Sequence, residues 1–303
     1  MSRKLLIISL VIAGNLMELI FGEHCEKNFE NSSCCCDDYE NVARKLSCDV
    51  EKIKTSLDNS KKETKTKGLP IFDIRFDKYP NTCPNLGIPS NCAEATACTK
   101  RNGYHKIKIP TFSNDTFLVD CDARTDGGDW TVIQRRHDGS VDFYREWMDY
   151  KHGFGNIDGE FFIGLDKLHA LTNYQGPQEL LILMVNGSNS VEGFAKYDDF
   201  VIGNESEMYK LKRTGHYVGT AGESLKRHIG MKFSTKDQDN DVYAEGSCAV
   251  SYMGGWWYEK CHSSNLNGHY GDKSYSKGIN WYSFTGHTST LRFVKMMVRR
   301  RRG

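Results

Sequence analysis

Three aspartates alternate in the run Asp237-Gln-Asp239-Asn-Asp241. Alternating carboxylates can turn toward one point, and hard oxygen donors gathered in that way suit Ca²⁺. Two residues exclude an EF-hand. Counting Asp237 as loop position 1, the glycine required at position 6 is Val242 and the glutamate required at position 12 is Cys248. The run therefore reads as a calcium loop of another kind, completed by backbone carbonyls further along, against the alternative of a solvated acidic turn. Directly after it, Cys248 and Cys261 bracket Tyr252, Trp256, Trp257 and Tyr258, and His262 follows. Sugar pockets use such residues: a pyranose ring or acetyl methyl packs on an aromatic face while polar groups take its hydrogen bonds. Taken singly, a tryptophan pair is ordinarily core and a histidine ordinarily structural. No GxSxG or HExxH motif occurs and no nucleophile-and-base pair stands out, so the chemistry points to binding and not to an enzyme.

These residues need a frame to position them. The chain has 303 residues, enough for one principal domain and an appendage. Its 40 Lys and Arg nearly balance 39 Asp and Glu, so no global charge favours nucleic acid or a membrane surface as partner. Aromatics at 12% with 28 glycines suit a turn-rich, sheet-containing domain better than a helix bundle.

Residues 1–22 read as a secretory signal, with Arg3-Lys4 ahead of an apolar core from Leu5 to Ala13 and Gly22 as a small residue for cleavage. Asn15 and Glu18 break the apolar run well short of the ~20 residues a span requires. A secreted, extracellular chain that is not membrane-embedded accounts for eleven cysteines as mostly disulfides. Sequons at Asn31, Asn114, Asn186 and Asn204 agree with that route and mark glycosylation candidates.

Residues 23–69 are polar and rich in Lys and Glu. Within them Leu46, Val50, Ile53 and Leu57 form a helical seam, too short to hold a coiled coil together in water by itself. Five cysteines surround it, an odd number, so at least one is expected to link chains into a disulfide-linked homo-oligomer. A solvated hinge follows from Ser56 to Gly68. From about Tyr79 the pattern changes to short β-like runs, among them Trp130–Gln134, Phe161–Gly164, Leu180–Val185 and Leu291–Val298. Short helices are expected over Arg145–Tyr150 and Gly164–Leu171. The fold class is thus α+β with an antiparallel sheet. The terminal run Arg299–Arg302 reads as a solvated end, or else a polyanion contact or a trimming site.

Several motifs, taken in order, resemble the fibrinogen-related C-terminal domain. They are Asp126-Gly-Gly-Asp-Trp-Thr-Val-Ile-Gln-Arg-Arg136, Asp138-Gly-Ser-Val-Asp-Phe-Tyr144, Gly153-Phe-Gly-Asn156 and Gly159-Glu-Phe-Phe162. Met231-Lys-Phe-Ser-Thr-Lys-Asp237, Cys261-His-Ser-Ser-Asn-Leu-Asn-Gly268 and Gly278-Ile-Asn-Trp-Tyr282 continue the series. The resemblance spans Asn91 to Arg299 and sets the domain at residues 80–300. It implies a central twisted antiparallel sheet and a loop-rich subdomain holding calcium and ligand. It also implies the pairs Cys92–Cys121 and Cys248–Cys261, with Cys83 and Cys98 outside the usual pattern and expected to form a third pair. The Cys248–Cys261 loop is worth very roughly 3 kcal/mol on the chain-entropy account.

By the same resemblance, Ca²⁺ is held by Asp239 and Asp241 with carbonyls near Tyr243 and Glu245. The stretch from Asp241 to Cys248 is one residue longer than in fibrinogen chains or ficolins. In ficolin-like and tachylectin-like chains an acetyl group sits beside the cysteine pair, next to a cis peptide that corresponds to Lys260–Cys261. The matching pocket here comprises Tyr252, Cys261, His262, Trp281 and Tyr282. Where ficolin-like chains carry tyrosines, this one reads His287-Thr-Ser-Thr-Leu291, so one wall is either absent or supplied by His287. Two functions follow: a calcium-dependent lectin for acetylated glycans, or a secreted protein ligand of a cell-surface receptor in the angiopoietin-like manner.

Overall fold

The computed structural model describes residues 87–302. The expectations for residues 1–22 and 23–69, the sequon at Asn31 and the cysteine Cys83 lie outside them.

Among the described residues thirteen strands run in chain order: β1 (Gly103–Ile107), β2 (Phe117–Asp122), β3 (Trp130–Arg136), β4 (Phe154–Gly155), β5 (Phe161–Phe162), β6 (Gln178–Asn186) and β7 (Glu192–Tyr197), then β8 (Val201–Ile202), β9 (Leu211–Arg213), β10 (Tyr217–Gly219), β11 (Ser264–Asn265), β12 (Asn280–Trp281) and β13 (Leu291–Arg300). The main sheet has the order β1-β2-β3-β13-β6-β7-β10, with β4 and β5 attached beside β3. Every pairing in it is antiparallel.

The sheet has its last strand at its centre. β13 lies between β3 and β6, with Met296 opposite Gln134 on one side and Ile182 on the other. Its Val294, Met296, Met297 and Val298 are buried, as are Leu180, Leu181, Ile182 and Met184 of β6. Near-continuous apolar runs of this kind belong to strands covered on both faces. Two short helices pack on each other, and the second packs on β8. In Trp147–His152, Trp147 and Tyr150 are buried at i, i+3. In Leu165–Asn173, Leu165, Leu168 and Leu171 make the same stripe. The α+β expectation and its main strands match this architecture.

Cys92, in the helix Cys92–Thr96, is bonded to Cys121 of β2, and Cys248 is bonded to Cys261. Cys98 is disulfide-bonded as well. The terminal arginines are not a free cationic tail. Arg299 donates to Glu179 at 2.8 Å and lies over the Trp130 ring, Arg301 pairs with Asp198, and Arg302 pairs with Asp129 at 2.6 Å. Three of the four are paired with carboxylates, Arg299 buried and Arg301 and Arg302 on the surface, which lowers the charge left for a polyanion. Among the described residues, no helix is long and apolar enough to cross a membrane.

Asn114 and Asn204 are exposed. Asn186 is only 7% exposed and its side chain accepts the Ser188 N–H at 2.8 Å, so a glycan there would require this turn to open.

Candidate functional site

The loop after residue 233 is built on aspartates with separate duties. Asp237 is engaged structurally: one oxygen accepts the Trp147 N–H at 2.8 Å and the Thr235 hydroxyl at 2.7 Å. Asp239 and Asp241 are the pair that faces each other. The Asp241 N–H donates to the Asp239 carboxylate at 3.2 Å, and Asp241 itself accepts the N–H groups of Tyr243 and Cys248, both at 2.8 Å. Burial raises the Asp241 carboxyl above its ordinary value; the two N–H bonds lower it, and the neighbouring Asp239 charge raises it again. Of the neighbouring lysines in sequence, Lys236 is directed toward Glu146 and Lys260 lies over the Tyr243 ring. Two adjoining carboxylates with no ion-pair partner among the described residues fit a divalent cation, which would relieve their repulsion. The Tyr243 carbonyl receives a long 3.5 Å bond from the Gly246 N–H, closing the turn that carries Glu245. Glu245 is exposed, and its carboxylate accepts the Tyr243 hydroxyl at 3.2 Å.

The Cys248 N–H bond ties this loop to the next segment. The helix Cys248–Ser251 starts there, capped by the Ser247 side chain, and leads into Tyr252. Gly254 and Gly255 then let the chain pass close to its neighbours: a Cβ on Gly254 would sit 2.5 Å from the Asn267 carbonyl, and one on Gly255 2.5 Å from the Tyr150 ring. Trp256, Trp257 and Tyr258 turn inward. All three are at most 1% exposed; Trp257 donates to the Tyr209 carbonyl and Tyr258 to the Gly254 carbonyl. Of the two readings of this run, a sugar-facing surface or core, the structure shows core. Trp281, expected in the pocket, is corrected. It is fully buried and donates its indole N–H to the Gly222 carbonyl, so it supports the site from beneath and cannot wall it.

The aromatic cluster that does assemble is centred on His262. Its ring meets Tyr252 edge-on at 4.7 Å and lies 5.9 Å from Tyr258 and 5.8 Å from His287. His287 in turn stands 5.3 Å from Tyr275 and 4.7 Å from Tyr282. Tyr252 is half-buried, and Asn265 fixes its backbone by donating to its carbonyl at 3.1 Å. Cys261 adjoins the cluster, and the Lys260–Cys261 peptide is cis.

His262 is 7% exposed, and among the described residues neither ring nitrogen has a hydrogen-bond partner. Burial pushes its pKa down to about 3, helped by the nearby His228 and His287, so the ring is neutral with one N–H and one lone pair to offer. The Ser276 backbone acts on its charge in the opposite direction without closing a well-aligned bond. An unmet buried donor or acceptor costs about 1–3 kcal/mol, so this ring is a ready partner for a polar ligand. His287 Nδ1 is also buried without a partner.

Composition and spacing gave no hint of His228, although it organises the segment. It is fully buried; its Nδ1 meets the Trp257 carbonyl at 2.7 Å, and its Nε2 accepts the Ser263 and Ser264 N–H groups at 3.2 and 3.1 Å. That pattern requires neutral imidazole with the proton on Nδ1. Tyr275 was missed too, since it stands alone among Lys, Ser and Asp in sequence.

Burial holds His228 to a pKa of about 4, whereas the unfolded ring titrates near 6.5. Between those values the unfolded chain binds the proton and the folded chain does not. Stability is therefore complete above about pH 6.5 and declines as pH falls toward 4, by roughly 3 kcal/mol. Urea unfolding at pH 7.5 and 4.5 is expected to show a lower midpoint at the acid pH. His228→Gln, already destabilised at pH 7.5, is expected to show a smaller acid decrement. Equal decrements in both proteins would exclude His228 as the cause.

A separate concavity of about 440 Å³ includes Leu118, Phe154, Ile157, Phe161 and Lys167 in its lining. Lys167 there already donates to the His152 and Ile163 carbonyls, and the wall is otherwise mostly apolar.

Fold and site together define a sheet-based domain with an aspartate loop tied to an aromatic cluster through a disulfide-bonded segment. Residues 88–301 match the family model for the C-terminal globular domain of fibrinogen beta and gamma chains, and the chain belongs to that family. It is 51% identical over 198 residues to tenascin-R of Homo sapiens, covering 65% of this chain and 14% of tenascin-R. It is 49% identical over 201 residues to ryncolin-4 of Cerberus rynchops, covering 65% of this chain and 57% of ryncolin-4. The chain thus spans a minor part of the first relative and somewhat over half of the second. Among solved structures, the fibrinogen-like globe domain of human ANGPTL2 superposes with a TM-score of 0.67 at 43% identity, covering 71% of this chain and all of that one. The family is one of binding domains.

Proposed function

We propose that this is a secreted, calcium-dependent lectin that recognises N-acetylated glycans. The observation that carries the reading is His262: a buried neutral ring with both nitrogens unmet, edge-on to Tyr252 and next to the Cys248–Cys261 bond. An acetamido group has an apolar methyl, one acceptor and one donor, and an aromatic cluster with one orphaned polar ring offers the complement. Ca²⁺ held by Asp239 and Asp241, with carbonyls of the Tyr243–Glu245 turn, would brace the segment that begins with the Cys248 N–H. Linking copies through the cysteines of residues 23–69 would turn weak single contacts into avidity, a gain of roughly 10²–10⁴.

The test is retention of the secreted protein on an N-acetylglucosamine resin. Elution by free sugar or by a chelator is expected, and Tyr252→Ala should pass through unretained while keeping its unfolding temperature. Wild type that binds Ca²⁺ yet passes straight through would remove the acetyl pocket. It would turn attention to the second reading, a protein ligand for a receptor. That reading is favoured by His287 standing where ficolin-like chains have tyrosine.

A further inference from the structure

The concavity lined by β2, the β4–β5 hairpin and the first turn of the helix Leu165–Asn173 shares no residue with the aspartate loop or the His262 cluster. Its volume of about 440 Å³ is that of a small-molecule pocket. A single exposed leucine is common and needs no explanation. Here, however, Leu118 is 45% exposed and adjoins the half-buried Phe154 and Ile157, with Phe161 nearly fully buried in the same wall. That wall is rigid. Gly153 and Gly155 have φ of 94° and 90°, and a Cβ on either would sit 2.4 Å from a backbone carbonyl oxygen, that of Ile163 or Glu160. The Asn156 N–H donates to the Glu160 carbonyl at 2.9 Å, and Arg135 holds the Ile157 and Gly159 carbonyls at 2.8 and 3.0 Å. The surface is thus formed before a ligand arrives, and little ordering is lost when one docks.

One cation enters this apolar lining. The Lys167 ammonium donates to the His152 and Ile163 carbonyls, which uses two of its three N–H groups. It has no ion-pair partner among the described residues. The acids near the pocket in sequence are committed elsewhere: Asp166 to Lys151 at 3.3 Å, Asp158 to the Tyr104 hydroxyl, and Asp120 to Arg135. Burial lowers the Lys167 pKa, and an anion within reach would offset that cost. We propose that this concavity binds an alkyl carboxylate, a free fatty acid whose chain lies along Leu118, Phe154, Ile157 and Phe161 and whose carboxylate meets Lys167. The charge and the apolar wall complement the two ends of such a molecule. A sugar fits poorly, because His152 and Asn156 are the only other polar side chains in the lining and most hydroxyls would lose water without replacement. The site is independent of the lectin reading.

Calorimetric titration of the full secreted chain in calcium-free buffer tests the assignment, with dodecanoate, octanoate and dodecyltrimethylammonium each below its micelle concentration. Dodecanoate is expected to bind at least about tenfold more tightly than the cation of equal chain length, the size of one charge-assisted hydrogen bond. Octanoate, with four fewer methylenes to bury, should be weaker than dodecanoate by at least about tenfold. Lys167→Gln keeps a donor for the two carbonyls but removes the charge, and should weaken dodecanoate about tenfold while leaving the cation unchanged. Leu118→Asp, at an exposed position, should weaken dodecanoate by a similar factor and keep its unfolding temperature; it carries the test alone if Lys167→Gln does not fold. Equal affinity for dodecanoate and the cation would overturn the site. So would dodecanoate binding that is unchanged in either folded variant, since the ligand would then sit elsewhere. Absence of binding to folded wild type would overturn it outright.

Discussion

Asp241→Asn is expected to lower Ca²⁺ affinity by more than about 100-fold and to carry glycan retention down with it. The substitution keeps the size of the side chain and one carbonyl acceptor but removes the charge. It also converts one of two accepting oxygens into a donor, and those oxygens take the Tyr243 and Cys248 N–H groups. The loop would therefore lose cation affinity and some of its grip on the start of the Cys248–Ser251 helix. Thermal unfolding with and without Ca²⁺ separates two explanations. If the loop holds the ion, wild type should gain stability with Ca²⁺ as mass action requires, about 4 kcal/mol at a thousandfold excess over its dissociation constant, and the variant should gain none. If Asp241 serves only to cap the turn, wild type and variant will differ by the same amount at every Ca²⁺ concentration. That second pattern would sink the calcium reading.

Much of the sheet was legible because its strands have to be apolar over a length that periodicity can resolve. β3, β6 and β13 are seven to ten residues long, and their valine, isoleucine and leucine content marks them directly. The two- and three-residue strands β8 to β12 carry no such signal, since pairs such as Ser264-Asn265 and Asn280-Trp281 owe their register to tertiary contact. The site was legible in a different way. Resemblance and spacing pointed to Asp239, Asp241, Tyr252, Cys261 and His262; the structure ties Asp241 to the Cys248 N–H and sets Tyr252 against His262. Spacing could not tell which face an aromatic presents: Trp281 and Tyr282 are adjacent, yet one is fully buried and the other 56% exposed. Nor could it find His228, which lies 33 residues before Cys261 and reaches the segment only through three-dimensional packing.

Glu160→Ala is expected to be the most damaging single change in the domain, lowering stability by about 3–5 kcal/mol and the unfolding temperature by about 10–15 °C. Glu160 is fully buried next to the almost fully buried Arg136, with 3.6 Å between their charged groups. Its carboxylate accepts four backbone N–H groups, from His137, Asp138 and Gly139 on one oxygen and from Val141 on the other. Arg136 lies 3.7 Å from the centre of the Phe143 ring and donates to the Leu266 and Gly268 carbonyls. Burial lowers its pKa to about 10, which still leaves it fully charged at neutral pH. Removing Glu160 strands that cation and four N–H donors together. Arg136→Met is expected to cost less alone, because the four N–H bonds remain, and the double variant should be less damaging than the sum of the two. The consequence reaches the pocket, since Arg136 and Gln134 of β3 hold the Leu266–Gly268 backbone, and Asn265 just before it holds Tyr252. Denaturant unfolding of the double-mutant cycle reads the coupling directly. A Glu160→Ala protein within about 1 kcal/mol of wild type would mean that water replaces the carboxylate, and that the pair does not anchor the site to the sheet.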